Sequence, residues 1–213
     1  MSNAISDISL NESAPKKARR PVVKAEEAQD RILKAVDELF YLEGARSVSV
    51  DAVVKRADLN KMTVYRQFEG KESLLTFFLQ RREKLFWGYI DKAVAKADLP
   101  GAQLLQIFKD LAVRVVRSGY RGCPFVNIAV EFPDRHSFAR VFVEQNKKAV
   151  FQRFLALATA ANAAQPKRLA TSLSIMLEGV YAASQTYSEE HEVFDCLIDS
   201  VTLLLQAEKV VLA

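Results

Sequence analysis

The chain has 213 residues, half of them hydrophobic, with only seven glycines and six prolines. This composition favours a helical protein over a turn-rich all-β fold and allows one or two domains with a sizeable core. Two cysteines without metal-ligand spacing exclude a disulfide framework and indicate a reducing, cytoplasmic location. No apolar run forms a signal peptide or approaches a membrane span, so we expect no membrane partner.

The N-terminal segment, residues 1–25, is polar, basic and interrupted by Pro15 and Pro21, so we expect a mobile arm. Its net charge is +3, and residues 44–71 carry a further +3, whereas the whole chain carries only +4. Positive charge concentrated in this way is the electrostatic footprint of a nucleic-acid binder, although a basic tail by itself is equally consistent with a solubilising role.

A first helix is predicted from Glu26 to Gly44, because its apolar residues fall on one face and the glycine ends it. A second, short helix follows from Ser49, whose hydroxyl can accept a backbone N–H at the helix start. Its apolar stripe has the spacing i, i+3, i+4 and i+7. That stripe comprises Val50, Val53, Val54 and Ala57.

A third helix of about seven residues is predicted after the turn at Asp58 and Leu59, with Asn60 as its N-cap. Two turns of helix are not stable alone, so Val64 and Phe68 must be buried against the other helices. Gly70 ends this segment, and Lys71 opens the next helix. A phosphate near Lys71 would offset its unfavourable interaction with the helix dipole. The outward side chains are Lys61, Met62, Thr63, Tyr65 and Arg66.

These residues resemble the DNA-binding domain of the tetracycline-repressor (TetR) family of bacterial regulators, over about residues 27–80. Three positions depart from the family pattern. Asp58 stands where a turn glycine is usual, but aspartate tolerates the left-handed conformation. Asn60 replaces a serine of equal capping ability, and Met62 replaces a glycine where the backbone usually meets DNA. The residues at the positions of the family pattern are Ser49, Val53, Val54, Ala57, Asn60, Thr63, Tyr65, Phe68 and Lys71.

The resemblance implies a helix-turn-helix domain over residues 26–72 that binds double-stranded DNA. We expect Lys61, Tyr65 and Lys71 to contact phosphates. Met62, Thr63 and Arg66 are the candidates for base edges, with the Arg66 guanidinium suited to guanine. The complete set of expected DNA-binding residues is Ser49, Asn60, Lys61, Met62, Thr63, Tyr65, Arg66 and Lys71.

Six further helices are predicted from apolar periodicity and from the glycines and prolines between them, which makes the protein all-α with about nine helices. By the resemblance, residues 73–209 form a helical effector-binding and dimerisation domain. The predicted ranges are 71–97, 102–118, 124–132, 137–163, 166–187 and, from Glu189 and Glu190 onward, 189–206.

The aromatic-rich middle of the chain predicts a small-molecule cavity, although such residues form ordinary core just as often. Asn127 and Glu131 share one face of a short helix, where a buried Glu131 would need a cationic effector or an internal partner such as Arg114. Cys123 is either an accessible thiol or a small buried hydrophobe. The effector-binding candidates are Trp87, Phe108, Cys123, Asn127, Glu131, Phe151 and Tyr181.

Broad apolar faces on the last two helices predict either an ordinary core or pairing with a second copy as a four-helix bundle. Two-fold symmetry suits DNA binding, because a two-turn helix reads too few bases by itself. The expected dimer-interface residues are Leu173, Leu177, Gly179, Val180, Leu197, Val201 and Leu204.

These features together predict a ligand-responsive DNA-binding transcriptional regulator, a homodimeric repressor of a palindromic operator that an unknown small molecule releases. The alternative is a helical adaptor whose helix-turn-helix makes protein contacts. Neither an enzyme nor a cofactor is expected, because the chain lacks a phosphate loop, a nucleophile elbow and a zinc-protease motif. Glu131, Asp134 and His136 lack the second histidine at helical spacing that would suggest a metal.

Overall fold

The computed structural model describes residues 23–188 and 192–212, and within them the chain forms nine α-helices and no strand. The predicted all-α class is therefore confirmed. Nearly all of the predicted N-terminal arm, and the acidic pair Glu189 and Glu190, lie outside the described residues. The helices are α1 Ala25–Leu39, α2 Val50–Ala57, α3 Lys61–Gln67, α4 Lys71–Val94, α5 Pro100–Val115, α6 Pro124–Glu131, α7 Phe138–Ala160, α8 Pro166–Thr186 and α9 Cys196–Ala207.

The first three helices share a small apolar core, because α1 contacts both α2 and α3. Ile32 and Val36 of α1, Val53 of α2 and Val64 of α3 are all fully buried there. Phe68, just after α3, is 9% exposed and closes this core. The amphipathic spacing of α1 and α2 therefore has the effect expected from the sequence.

The end of α1 differs from the predicted regular helix, because residues Phe40–Gly44 form one turn of π-helix. Gly44 then leaves the helix with a φ of +89°, a conformation that favours glycine. Phe40 packs edge-on against Phe78 of α4, with ring centroids 5.7 Å apart. The next residue, Tyr41, reaches the loop before α6, where its hydroxyl donates to the Gly122 carbonyl (3.2 Å) and accepts from the Arg121 N–H (2.9 Å).

The C-terminal helices surround α5 and α7, whose Phe108 and Phe154 stack with centroids 6.0 Å apart at the centre of the core. Helix α8 runs along α7, and α9 packs on α5. The buried Glu208 carboxylate fastens the α7–α8 turn, since it accepts from the Gln165 N–H (2.9 Å) and the Arg168 guanidinium (2.8 Å).

Helix boundaries depart from the prediction mainly at C-terminal ends, where the last residues form turns. Helix α4 ends at Val94 rather than Ala97. Helix α5 begins at Pro100 rather than Ala102 and ends at Val115 rather than Ser118. Helix α9 begins only at Cys196, after a short 3₁₀ turn at Glu192–Phe194. Such end effects fall outside what apolar periodicity can specify.

Candidate nucleic-acid interface and ligand cavity

The turn between α2 and α3 has the geometry predicted from its residues. The Ser49 hydroxyl accepts the Ala52 N–H (3.1 Å) and caps α2. Asp58 ends α2 in the left-handed conformation, with φ 52° and ψ 47°. Leu59 is buried behind it. An aspartate thus performs the turn that a glycine would otherwise supply.

Helix α3 is oriented by its cap and by its buried edge. The Asn60 side-chain oxygen accepts both the N–H (2.8 Å) and the hydroxyl (2.9 Å) of Thr63, so Asn60 is the N-cap expected from the sequence. Val64, on the opposite side of the helix, is fully buried. The two anchors leave the other face of this two-turn helix turned to solvent.

The solvent face of α3 carries four exposed side chains that can meet DNA, those of Lys61, Met62, Tyr65 and Arg66. Met62 is 74% exposed, Tyr65 is 44% exposed, and Arg66 is exposed beside them. Lys61 forms an exposed ion pair with Asp51 (2.9 Å), a contact weak enough for a phosphate to replace. The hydroxyl hydrogen of Thr63 is already donated to the cap, so its methyl group and oxygen lone pairs remain for a base edge.

Lys71 is placed differently from the free phosphate contact expected from the sequence. Its ammonium donates to the Arg46 carbonyl at 2.6 Å, and the side chain is half-buried. Burial lowers the pKa of Lys71, partly opposed by the carboxylate of Glu131. Lys71 therefore ties the start of α4 to the turn before α2.

A cavity of about 290 Å³ lies between the π turn, α4, α5, α6 and α8. Its lining is aromatic and cationic, and two of the sequence-predicted residues, Cys123 and Tyr181, belong to it. The aromatic, cationic and thiol side chains of the lining are Tyr41, Arg82, Phe86, Tyr89, Arg114, Arg117, Tyr120, Cys123, Phe125 and Tyr181.

The other predicted effector residues lie outside this lining. Phe108 is fully buried against Phe154, and Phe151 is a partly buried residue that packs on the core. Trp87 stands behind the wall, edge-on to the lining residue Phe86 at 5.2 Å. Asn127 donates its side-chain amide to the Arg121 carbonyl (2.9 Å) and so shapes the loop before α6.

Glu131 does not line the cavity, so the prediction that its carboxylate binds an effector is wrong. Its side chain accepts the Arg46 backbone N–H (2.7 Å), and its carbonyl accepts from the Arg46 guanidinium (3.1 Å). Its internal partner is thus Arg46 and not Arg114. Gly44 lies against the same carboxylate, since a Cβ there would be 3.0 Å from Oε1. Glu131 joins α6 to the helix-turn-helix.

Three arginines of the cavity lining, Arg82, Arg114 and Arg117, are not among the predicted effector-binding residues. Arg82 lies 2.9 Å from the Asp37 carboxylate of α1, close enough for an ion pair though not aligned for a hydrogen bond, and 4.2 Å from the Tyr41 ring. Burial lowers its pKa. Arg114 stacks on Tyr89 at 4.5 Å. The spacing i, i+4 and i+7 of Arg82, Phe86 and Tyr89 was the available signal, because it places a cation on an aromatic helix face.

The predicted dimer residues are mostly part of the chain's own core, which corrects their assignment as an interface. Only Gly179 is exposed and Leu204 half-buried. The outward stripe of α8 carries instead Ile175, 67% exposed, and a groove of about 470 Å³ that reaches Phe194. The buried members are Leu173, Leu177, Val180, Leu197 and Val201.

In residues 23–188 and 192–212, no helix combines the length and apolarity needed to cross a membrane. Asp134 and His136 contact each other only through the His136 backbone N–H, which donates to the Asp134 carboxylate at 2.9 Å. The same described residues contain no group of three or more metal-ligating side chains.

Comparison with known proteins gives three kinds of match. The family described as "Bacterial regulatory proteins, tetR family" matches residues 32–76. An uncharacterised helix-turn-helix-type transcriptional regulator of Mycobacterium tuberculosis is 30% identical over 82 residues, 38% of this chain and 41% of the relative. SrpR of Pseudomonas putida is 32% identical over 66 residues, 31% of each chain. The chain therefore spans less than half the length of these curated relatives.

Solved structures extend the likeness to the whole fold. A TetR-family regulator from Streptomyces coelicolor superposes with a TM-score of 0.81 at 22% identity, covering 85% of this chain and 90% of the other. The regulator CifR, solved with a 26-base-pair double-strand operator DNA, has a TM-score of 0.69 at 16% identity, covering 92% of this chain and 100% of that one. The matched proteins are transcriptional regulators, not enzymes.

Proposed function

We propose, on the premise that this chain carries the DNA-binding domain and the fold of the TetR-family transcriptional regulators, that it is a homodimeric repressor. It binds a palindromic operator through α3 and leaves it when a small molecule occupies the cavity. The cytoplasm, where bacterial DNA lies, is then its place of action.

The observation that carries the proposal is the free outer face of α3. Met62, Tyr65 and Arg66 are exposed, while the cap at Asn60 and the buried Val64 hold the helix still. A helix held in this way can enter a major groove, with Arg66 able to donate two hydrogen bonds to guanine. The structure of CifR, which has a similar fold, contains a double-strand operator DNA, and this supports DNA binding by the fold.

Pairing of two chains is supported by the outward stripe of α8 and α9. Ile175 and Leu203 are 67% and 66% exposed, and Met176 and Gly179 lie beside the first of them. Isolated apolar residues on a surface are ordinary, but a stripe along two adjacent helices fits a four-helix bundle between copies. A two-fold dimer would present two copies of α3 to one palindrome.

Release by a ligand would follow from thermodynamic linkage. Suppose that the operator binds one arrangement of the two DNA-binding domains and that the effector prefers another. Bound effector then lowers the affinity for the operator, and bound operator lowers the affinity for the effector by the same factor. The contacts that connect head and cavity support such coupling. They are α4 itself, the Glu131–Arg46 pair and the Tyr41 hydroxyl.

Selection of bound sequences from random double-stranded DNA by the purified chain tests this function. We expect a palindrome whose half-sites are spaced by about one helical turn. Affinity for it should fall steeply with salt. Arg66→Ala should weaken the selected site by about 10- to 100-fold and reduce its preference over random DNA.

The matched control is Lys55→Ala, which removes an exposed cation from α2 without touching α3. It should leave sequence preference intact. Recovery of no palindrome, with salt-insensitive binding to a protein instead, would favour the adaptor alternative. A solution mass of one chain at all concentrations would contradict the dimer.

A further inference from the structure

Aromatic side chains line the cavity, and they can pack against a flat ring of a ligand. Phe86 and Phe125 meet edge to face with centroids 6.5 Å apart, and both line it. Tyr89 and Tyr120 add two further rings to the lining. A volume of about 290 Å³ lies at the lower end of ligand sites, which suits one or two fused rings.

Two cations around the cavity already have their own carboxylates. Arg82 is paired with Asp37 at 2.9 Å. Lys147, behind the wall beside Cys123, donates to Glu178 at 2.6 Å. These pairs are neutral overall and do not call for an anionic ligand.

Arg114 is different, because no carboxylate of the described residues lies within 4 Å of it. The nearest candidate on its own helix is Asp110, one turn earlier, and both oxygens of Asp110 are taken by Lys96 at 2.7 and 2.8 Å. Arg114 instead stacks on Tyr89. Arg117, at the exposed edge of the cavity, likewise has no carboxylate partner in the described part of the chain.

The polar side chains next to Arg114 are the phenols of Tyr120 and Tyr181, which carry no charge. Burial raises the pKa of Tyr120, and burial raises the pKa of Tyr181 as well, so both phenols keep their protons at neutral pH. No aspartate or glutamate belongs to the described lining. A ligand in this space therefore meets guanidinium and phenol donors, and a cationic ligand would find no carboxylate to pair with and two arginines to repel it.

We propose that the cavity binds a planar aromatic carboxylate of one or two rings, with the carboxylate on the Arg114 guanidinium and the ring against the wall that Phe86 and Phe125 form. A guanidinium can hold a carboxylate through two parallel N–H bonds, which favours this anion over a neutral amide of the same shape. The assignment rests on the proposed function, because it names the chemical class of the effector.

The test is a titration of the full chain with three probes of one shape, 2-naphthoate, 2-naphthamide and 2-naphthylmethylammonium. Calorimetry gives the affinities, and the fluorescence of Trp87, the single tryptophan, reports occupancy because it packs on Phe86. We expect 2-naphthoate to bind at least tenfold tighter than the amide, and the ammonium probe to bind weakest. An amide or ammonium probe that binds as tightly as the carboxylate would overturn the proposal, as would absence of binding by all three.

Variants of Arg114 test whether its guanidinium binds the carboxylate of the ligand. Arg114→Gln should abolish the tenfold preference for the carboxylate, and Arg114→Lys should retain part of it. Arg135→Gln removes an exposed arginine of the turn before α7, outside the cavity, and should change nothing. If Arg114→Gln does not fold, the probe series on the unmodified chain still decides. A preference that survives in a folded Arg114→Gln protein would contradict the assignment.

The two proposals fail separately. If a palindrome is selected but the carboxylate preference is absent, the ligand class is wrong and the regulator function stands. If the carboxylate preference is present but no DNA sequence is selected, the cavity assignment stands and the proposed function is wrong.

Discussion

The recognition helix and the ligand cavity place their residues in opposite ways. The caps at Ser49 and Asn60 and the buried residue Val64, which orient α3, lie close together in the chain, although Val64 packs in a core shared with α1. The cavity instead gathers side chains from Tyr41 to Tyr181, out of five separate parts of the fold. Residues that are close in the chain can therefore specify the exposed face of α3, whereas the cavity forms only when helices that are distant in the chain pack together.

The largest expected effect is at Gly101, a position that nothing in its local sequence marks as special. A Cβ there would lie 2.2 Å from the Val211 carbonyl oxygen, because the C-terminal residues cross over the start of α5. We expect Gly101→Ala to lower the free energy of unfolding by about 3 kcal/mol through overpacking against backbone. Urea unfolding measures it.

The control is Gly88→Ala, also within a helix but with nothing within 4 Å of the added atom. It should stabilise the protein by about 0.5–1 kcal/mol, the helical advantage of alanine. Equal effects at the two glycines would mean that the contact between the C-terminus and α5 does not persist in solution.

The next effect concerns Glu131. The sequence predicted that it lies in the cavity, but in the structure it connects α6 to Arg46, just before α2. Glu131→Ala removes the acceptor of the Arg46 N–H and should lower the free energy of unfolding by about 2 kcal/mol. Naphthoate affinity should stay within twofold, as measured by calorimetry.

Glu144→Ala is the matched comparison, since Glu144 forms only an exposed pair with Lys148 on α7 and should cost about 0–0.5 kcal/mol. If Glu131→Ala left stability unchanged and abolished naphthoate binding, Glu131 would belong to the cavity after all.

A smaller effect is expected at the cap of α3. Asn60→Ala should cost about 1 kcal/mol of unfolding free energy, because it leaves the Thr63 N–H without its acceptor. Asn60→Ser supplies another capping oxygen and should cost much less. Thermal unfolding of the two variants checks this, and equal losses would show that the cap does not hold the helix.

The smallest effect on stability should come from Met62→Ala. The side chain is 74% exposed, so we expect the free energy of unfolding to change by less than about 0.5 kcal/mol. A larger loss in thermal unfolding would mean that Met62 packs on the protein and is not available to DNA.

Prediction from sequence succeeded where a residue's role depends on its neighbours in the chain. The left-handed Asp58, the cap at Asn60 and the burial of Val64 and Phe68 all follow from local rules. It failed where a role depends on partners far away. The prediction that a buried Glu131 needs a partner was right, but the partner is Arg46, which four helices, α2 to α5, separate from Glu131 in the chain.

The apolar stripes of α8 and α9 illustrate a second limit. Periodicity identified Leu173 and Val201 as apolar positions, and they are fully buried, but in the core of their own chain. When a helix has two apolar stripes, its periodicity does not show which stripe packs in the core of the same chain. The exposed Ile175 and Leu203 were distinguishable only after α7 and α5 had been placed.

The bond from the Tyr41 hydroxyl to Gly122 has a consequence for how a signal would travel. Tyr41 belongs to the π turn that ends the first helix of the head, and the same side chain forms part of the cavity lining. If the proposed function holds, a single side chain, that of Tyr41, separates the effector cavity from the DNA-binding domain. A molecule that displaced the Tyr41 phenol would therefore act directly on the π turn at the end of α1, without a change in any other helix.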